Sequence, residues 1–101
     1  MDIISDVAAI EAQTGPDWHV VDGMITKSID RGDFDGALAY VNAVGRVAAE
    51  IDHHPDIDIR WGVVTMYCST HSSGGITDYD INLTRLIDAL DANSDASREK
   101  P

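Results

Sequence analysis

Two β-rich stretches, each broken by a two-residue turn, stand on either side of a long helical repeat, and that spacing leaves few folds open. "HVV" and "MITKSI" flank Asp22-Gly23, a dipeptide suited to the positive φ of a tight hairpin turn. "DIDIRW" and "VVTMYCST" meet near Trp61-Gly62. Between the two pairs, Asp33 stands where a helix N-cap belongs. Ala37, Tyr40, Val41, Val44, Ala48 and Ile51 then fall on one helical face. Pro55 prevents that helix from continuing, and His54, which precedes it, is biased to extended backbone.

The flanks extend the alternation. Ile3, Val7 and Ile10 recur at helical spacing, which predicts a helix from Ile3 to Ala12 ended by Gly15-Pro16. After the second strand pair, "THSSGGITDYD" is a glycine loop running into Thr77-x-x-Asp80, a capping-box spacing with Asp in place of Glu. Leu83, Leu86, Ile87 and Leu90 make an apolar stripe beyond it. "DANSDASREKP" has no such face. The reading is one domain over residues 1–92 and a frayed, flexible tail over 93–101. The order αββαββα predicts an α+β fold, a four-stranded antiparallel sheet with helices packed on one face.

Composition narrows the function. A chain of 101 residues with 44% hydrophobic content supports one core without disulfide staples. No apolar run approaches the ~18 residues of a membrane span. The start, "MDIISDVAAIEAQTG", lacks the basic end and long apolar stretch of a signal peptide, so a soluble, cytoplasmic protein is expected. A net charge of -11 argues against nucleic acid as a partner, because neutralising phosphates needs a basic face. Cys68 is the single cysteine and lies in an apolar strand, which excludes a disulfide framework and reads as an inert buried thiol.

The chemistry concentrates in "IDHHPDIDIRW", Ile51 to Trp61. With a turn centred between Trp61 and Gly62, opposed residues have numbers summing to 123. His53 then faces Thr70 and His71 faces Asp52, and directly opposed residues hold their Cβ atoms ~5 Å apart. His53, His54 and His71 are thus expected together at the open end of one hairpin. The N-terminus of the last helix lies beside them, and the glycine loop leaves room for a flat ligand. Two chemistries suit such a group. Three imidazoles can hold zinc with water in the fourth position, although adjacent extended histidines point opposite ways. Alternatively they perform general acid-base work, for which imidazole is suited near neutral pH, with Asp52, Asp56 and Asp58 near enough to bias a tautomer. Trp18 and Trp61 are assigned to packing, and His19 to structure.

These residues resemble the pterin-4a-carbinolamine dehydratase family, also called 4a-hydroxytetrahydrobiopterin dehydratase. The resemblance rests on His53-His54-Pro55, then Trp61, His71 and Asp80 at matching intervals, within a wider likeness from Trp18 through "FDGALAYVNAVGRVAAEIDHHPDI" to "GGITDYDINLTRLID". Two positions depart. Ala49 stands where the family has a charged residue, with Glu50 one step off, and Arg31 stands where it often has phenylalanine. The resemblance implies expulsion of water from a 4a-hydroxytetrahydropterin to give the quinonoid dihydropterin, with no cofactor, and the histidine spacing without a nearby ligand cysteine predicts no metal. It implies that His53 and His71 share the acid-base work and that His54 holds substrate. Ser69, Thr70 and Asp80 would meet the pterin or orient the histidines, and Pro55, Trp61 and Glu50 would support the site. It also implies a homodimer or homotetramer. The family's fold also serves in non-enzymatic binding and assembly modules, which is the alternative reading.

Overall fold

The computed structural model describes residues 2–98. Its elements run α1 (Val7–Gln13), β1 (His19–Val21), β2 (Met24–Asp30), α2 (Phe34–Ile51), β3 (Asp56–Arg60), β4 (Val63–Cys68) and α3 (Asp78–Arg98), the expected αββαββα order. The strands form one antiparallel sheet in the order β1-β2-β4-β3. Alternation in β4 sends Val64, Met66 and Cys68 into the core, where Ile25 and Ile29 of β2 and Ile57 and Ile59 of β3 stand beside them. Against that face α2 lays Ala37, Tyr40, Val44 and Ala48, and α3 lays Ile81, Leu83 and Ile87. Burying one apolar stripe per helix against one sheet face is what makes these amphipathic segments stable.

The caps explain where the helices begin and end. Asp33 accepts a hydrogen bond from Gly36 N (2.8 Å) and starts α2 as expected. The first helix is shorter than its apolar spacing suggested. Asp6 takes extended dihedrals and accepts from Ala9 N, so α1 begins at Val7, and Ile3 lies in an extended arm before it. That arm is tied down through Ile4 N, which donates to Ile76 O (2.8 Å). At the other end of the chain α3 continues helical through Arg98, beyond its apolar stripe, and residues 99–101 of the expected tail lie outside the described residues.

Trp18 packs in the core as expected, but Trp61 does not. Trp61 occupies the β3–β4 turn with φ of 53°, and its side chain is left 72% exposed. The turn is pinned by its neighbour. Gly62 O accepts from Arg31 N (2.7 Å), and a Cβ on Gly62 would stand 2.8 Å from Asp33 N, so only glycine allows this approach.

One polar layer crosses the interior. Lys27 enters the core face of β2 beside Met66 and donates to Asp88 Oδ1 (3.0 Å) and Asp91 Oδ2 (2.7 Å) of α3. Trp18 Nε1 donates to the same Asp88 oxygen, and the Tyr40 hydroxyl donates to Asp91 Oδ1. Arg31 lies over the Tyr40 ring, 5.2 Å from its centroid. Four segments are therefore tied by partnered charges that the apolar patterning did not announce, an arrangement that satisfies groups otherwise costly to bury.

Candidate active site

The end of α2 sets the direction in which the histidines leave it. Asp52 adopts the left-handed conformation (φ 53°, ψ 42°). Asp52 N donates to Ala49 O and His53 N donates to Ala48 O, the paired bonds of a Schellman motif with aspartate in the position glycine usually takes. The chain turns off the helix axis at His53, and Pro55 then leads into β3.

The expected register is observed in the strands: Arg60 pairs with Val63 and Asp56 with Tyr67, all summing to 123. It stops at Asp56. Pro55 has no N–H to continue the ladder, and beyond Cys68 the chain folds into its own loop, where Thr70 N donates to Gly75 O (2.8 Å). His53 is therefore not opposite Thr70 in a ladder, nor does His71 face Asp52. His71 Nε2 instead lies 3.5 Å from Asp56 Oδ2, both side chains being well exposed.

What joins the parts is Asp80, which is fully buried. Its Oδ1 lies 2.6 Å from His53 Nε2. Its Oδ2 accepts from the Thr70 hydroxyl (2.8 Å) and from Thr77 N (2.9 Å). Because the Thr70 hydroxyl donates to Asp80, the Thr77 hydroxyl 2.7 Å away must donate to Thr70, and Thr77 Oγ1 in turn accepts from Tyr79 N (3.3 Å). The Thr77 N to Asp80 bond is half of the expected capping box; the other half goes to Tyr79 rather than Asp80. With Asp80 as a carboxylate, an acceptor only, His53 Nε2 carries a hydrogen, and in the neutral imidazole Nδ1 then keeps the free lone pair. The Tyr79 ring lies against this imidazole, 5.5 Å between centroids and tilted by 38°.

The other expected residues divide. Thr70 joins through its buried hydroxyl, which is consumed by Asp80 and Thr77. Ser69, Thr70 and His71 also line a cavity of about 570 Å³ whose opposite wall is the N-terminal arm and the β1–β2 turn. The room expected above the glycine loop is partly filled, since a Cβ on Gly75 would stand 3.1 Å from Ile3 Cγ2. His54 is exposed, Pro55 is partly buried, and Glu50 is exposed in the last turn of α2. Trp61 is not brought to this end of the sheet, because it sits in the turn at the far end of the β3–β4 hairpin. Thr77 and Tyr79 were missed as site residues; the capping-box spacing was the available signal for Thr77, and none existed for Tyr79. Burial, with the Asp80 and Asp56 carboxylates nearby, pushes the Cys68 thiol far above its ordinary pKa, which suits the inert role expected. Among the described residues no three His, Cys, Asp or Glu side chains group as metal ligands.

Comparison with known proteins identifies the family and the fold. The family described as pterin 4 alpha carbinolamine dehydratase matches residues 4–90. A protein of Nocardia farcinica, named as a candidate pterin-4-alpha-carbinolamine dehydratase, is 43% identical over 90 residues, 88% of this chain and 95% of the relative. One from Herpetosiphon aurantiacus with the same name is 43% identical over 82 residues, 81% and 83% of the two chains. A crystal structure from Brucella melitensis, described as a transcriptional coactivator/pterin dehydratase, superposes with a TM-score of 0.79 at 26% identity, covering 88% of this chain and 98% of that one. This chain belongs to the pterin-4-alpha-carbinolamine dehydratase family.

Proposed function

We propose that this protein dehydrates a 4a-hydroxytetrahydropterin. The C4a–O bond breaks, the departing hydroxyl takes a proton and leaves as water, and N5 loses its proton as the C4a=N5 bond forms. The product is a quinonoid dihydropterin, and neither oxidant nor cofactor is needed. The observation that carries this reading is the His53–Asp80 pair: a fully buried carboxylate orients an imidazole whose Nδ1 is left free to take a proton. In this reading His53 takes the N5 proton, His71 protonates the leaving hydroxyl, and His54 holds the substrate. Ser69 acts through the backbone of its loop, and Thr70 acts through its hydroxyl on Asp80. The test is a stopped-flow dehydration assay on a freshly generated 4a-hydroxytetrahydropterin. The expected result is a rate well above spontaneous loss of water, and a rate equal to the spontaneous one rejects the reading.

A second reading, a binding or assembly module, draws on exposed apolar side chains such as Phe34 and Leu38, one turn apart on α2. It predicts a partner-binding protein indifferent to replacement of His53. Under either reading a homo-oligomer is proposed, since β3 is an edge strand of the sheet, whereas Val20 N on the β1 edge already bonds Glu11. Light scattering on the purified protein measures its mass directly.

A further inference from the structure

A flat heterocycle needs a face to lie on. The cavity beside the glycine loop, lined by Ser69, Thr70 and His71, has no Phe, Tyr or Trp ring in its walls among the described residues. Ile3 of the N-terminal arm packs against Gly75. The aromatic surface available beside the reactive imidazole is instead Tyr79. Its ring is 51% exposed, yet one side rests near His53 at 5.5 Å between centroids. A lone exposed aromatic side chain on a protein surface calls for no explanation. This one is different because its backbone is fixed from two sides: Tyr79 N bonds to Thr77 Oγ1, and the next residue is the buried Asp80. The chain that aims His53 thus also aims Tyr79. The two rings are tilted by 38° rather than stacked flat, and Tyr79 keeps half of its surface exposed. His53 Nε2 is engaged by Asp80, so its free nitrogen is Nδ1.

We propose that Tyr79 is a substrate-binding residue, the platform on which the pterin ring system stacks while His53 Nδ1 reaches N5. The inference rests on the dehydratase reading and adds to it the residue that grips the heterocycle. Stacking is tolerant of ring identity, so Tyr79 would meet the planar pyrimidine half of the pterin on the face away from the C4a hydroxyl, indifferent to the substituent on carbon 6.

The test compares Tyr79→Phe, Tyr79→Leu and Tyr79→Ala with the parent. Affinity for 7,8-dihydrobiopterin is read from pterin fluorescence, and KM and kcat come from the dehydration assay. Because the side chain is half exposed, all three variants are expected to fold, which thermal melting checks. Tyr79→Ala and Tyr79→Leu should weaken binding and raise KM by about 5- to 150-fold, the range for loss of a base-stacking aromatic ring. Their kcat should stay within about threefold of the parent, as for lost uniform binding. Tyr79→Phe should behave as the parent. If the parent binds and dehydrates the pterin and Tyr79→Ala matches it, the Tyr79 assignment alone is overturned. It is equally overturned if Tyr79→Leu keeps parental affinity, or if Tyr79→Ala loses kcat at unchanged affinity, since the ring would then act through His53. A parent that binds no pterin removes the dehydratase reading and Tyr79's role together.

Discussion

Asp80 accepts from three directions, and each donor belongs to a different part of the site: His53 after α2, Thr70 after β4, and Thr77 at the start of α3. A buried carboxylate so engaged fixes an imidazole better than a solvated one, because low surrounding polarity strengthens each bond. If His53 and His71 exchange protons with the substrate, replacing either with Ala should lower kcat by ~10²-fold or somewhat more, the low end of the range for a placed acid or base. The carbinolamine loses water spontaneously, which limits the measurable defect. Replacing His54 should raise KM instead. The double variant of His53 and His71 should lose less than the product of the single losses, because the two act as one unit; full multiplicativity in steady-state assays would argue that they do not. Much of this group was legible in the chain: the hairpin register and the capping-box spacing drew His53, His71, Thr70 and Asp80 to one end. Their partners were not legible. A register says which backbones meet only while the ladder lasts, and Pro55 ends it one residue before Asp56.

At the scale of elements, the glycine turns and caps were the readable features, because each reflects a local backbone requirement. Asp33 is the clearest case. Its carboxylate takes Gly36 N at 2.8 Å, and removing it with Asp33→Ala should cost about 1 kcal/mol. For a domain of this size that corresponds to a melting temperature lower by about 4–8 °C. Activity at 25 °C should be unchanged, since Asp33 lies at the opposite end of α2 from His53. An unaltered melting temperature would mean that water or a neighbouring group replaces the cap. Where apolar spacing stood alone, it misplaced an element. Ile3, Val7 and Ile10 fit a helix, yet Asp6 caps it at Val7 and frees Ile3 to cross to Gly75. Trp61 misled in the same way: an aromatic residue after a strand suggests packing, but a left-handed turn position points it outward.

At the scale of the whole molecule, three interior groups hold protons more tightly in the fold than in the unfolded chain. Cys68 is raised by burial, with Asp80 and Asp56 adding to it, and Tyr40 by burial and its hydrogen bond to Asp91. Burial alone would lower Lys27, but its hydrogen bonds to Asp91 and Asp88 outweigh that, and the net shift is upward. A group whose folded pKa is raised contributes stability fully below its unfolded value, and that contribution is lost as pH climbs toward the folded one. The unfolded values are 9.0 for the thiol, 10.0 for the phenol and 10.5 for the amine, so the fold should weaken from about pH 9 upward. Each group steepens the loss by up to about 1.4 kcal/mol per pH unit once its unfolded value is passed. Cys68 acts first and is separable. Between pH 9 and 10 it accounts for about 1 kcal/mol of the fall, because there the unfolded thiol ionises while the buried one stays neutral. Urea midpoints from pH 8 to 11 measure this, provided the denaturant slope is constant. Cys68→Ala lowers stability at every pH by leaving a small void, but its decline between pH 9 and 10 should be shallower by that same ~1 kcal/mol. Parallel curves for parent and variant would show that the thiol ionises as readily inside the fold as outside it, and that the alkaline limit of this protein lies with the Lys27–Asp91–Tyr40 layer alone.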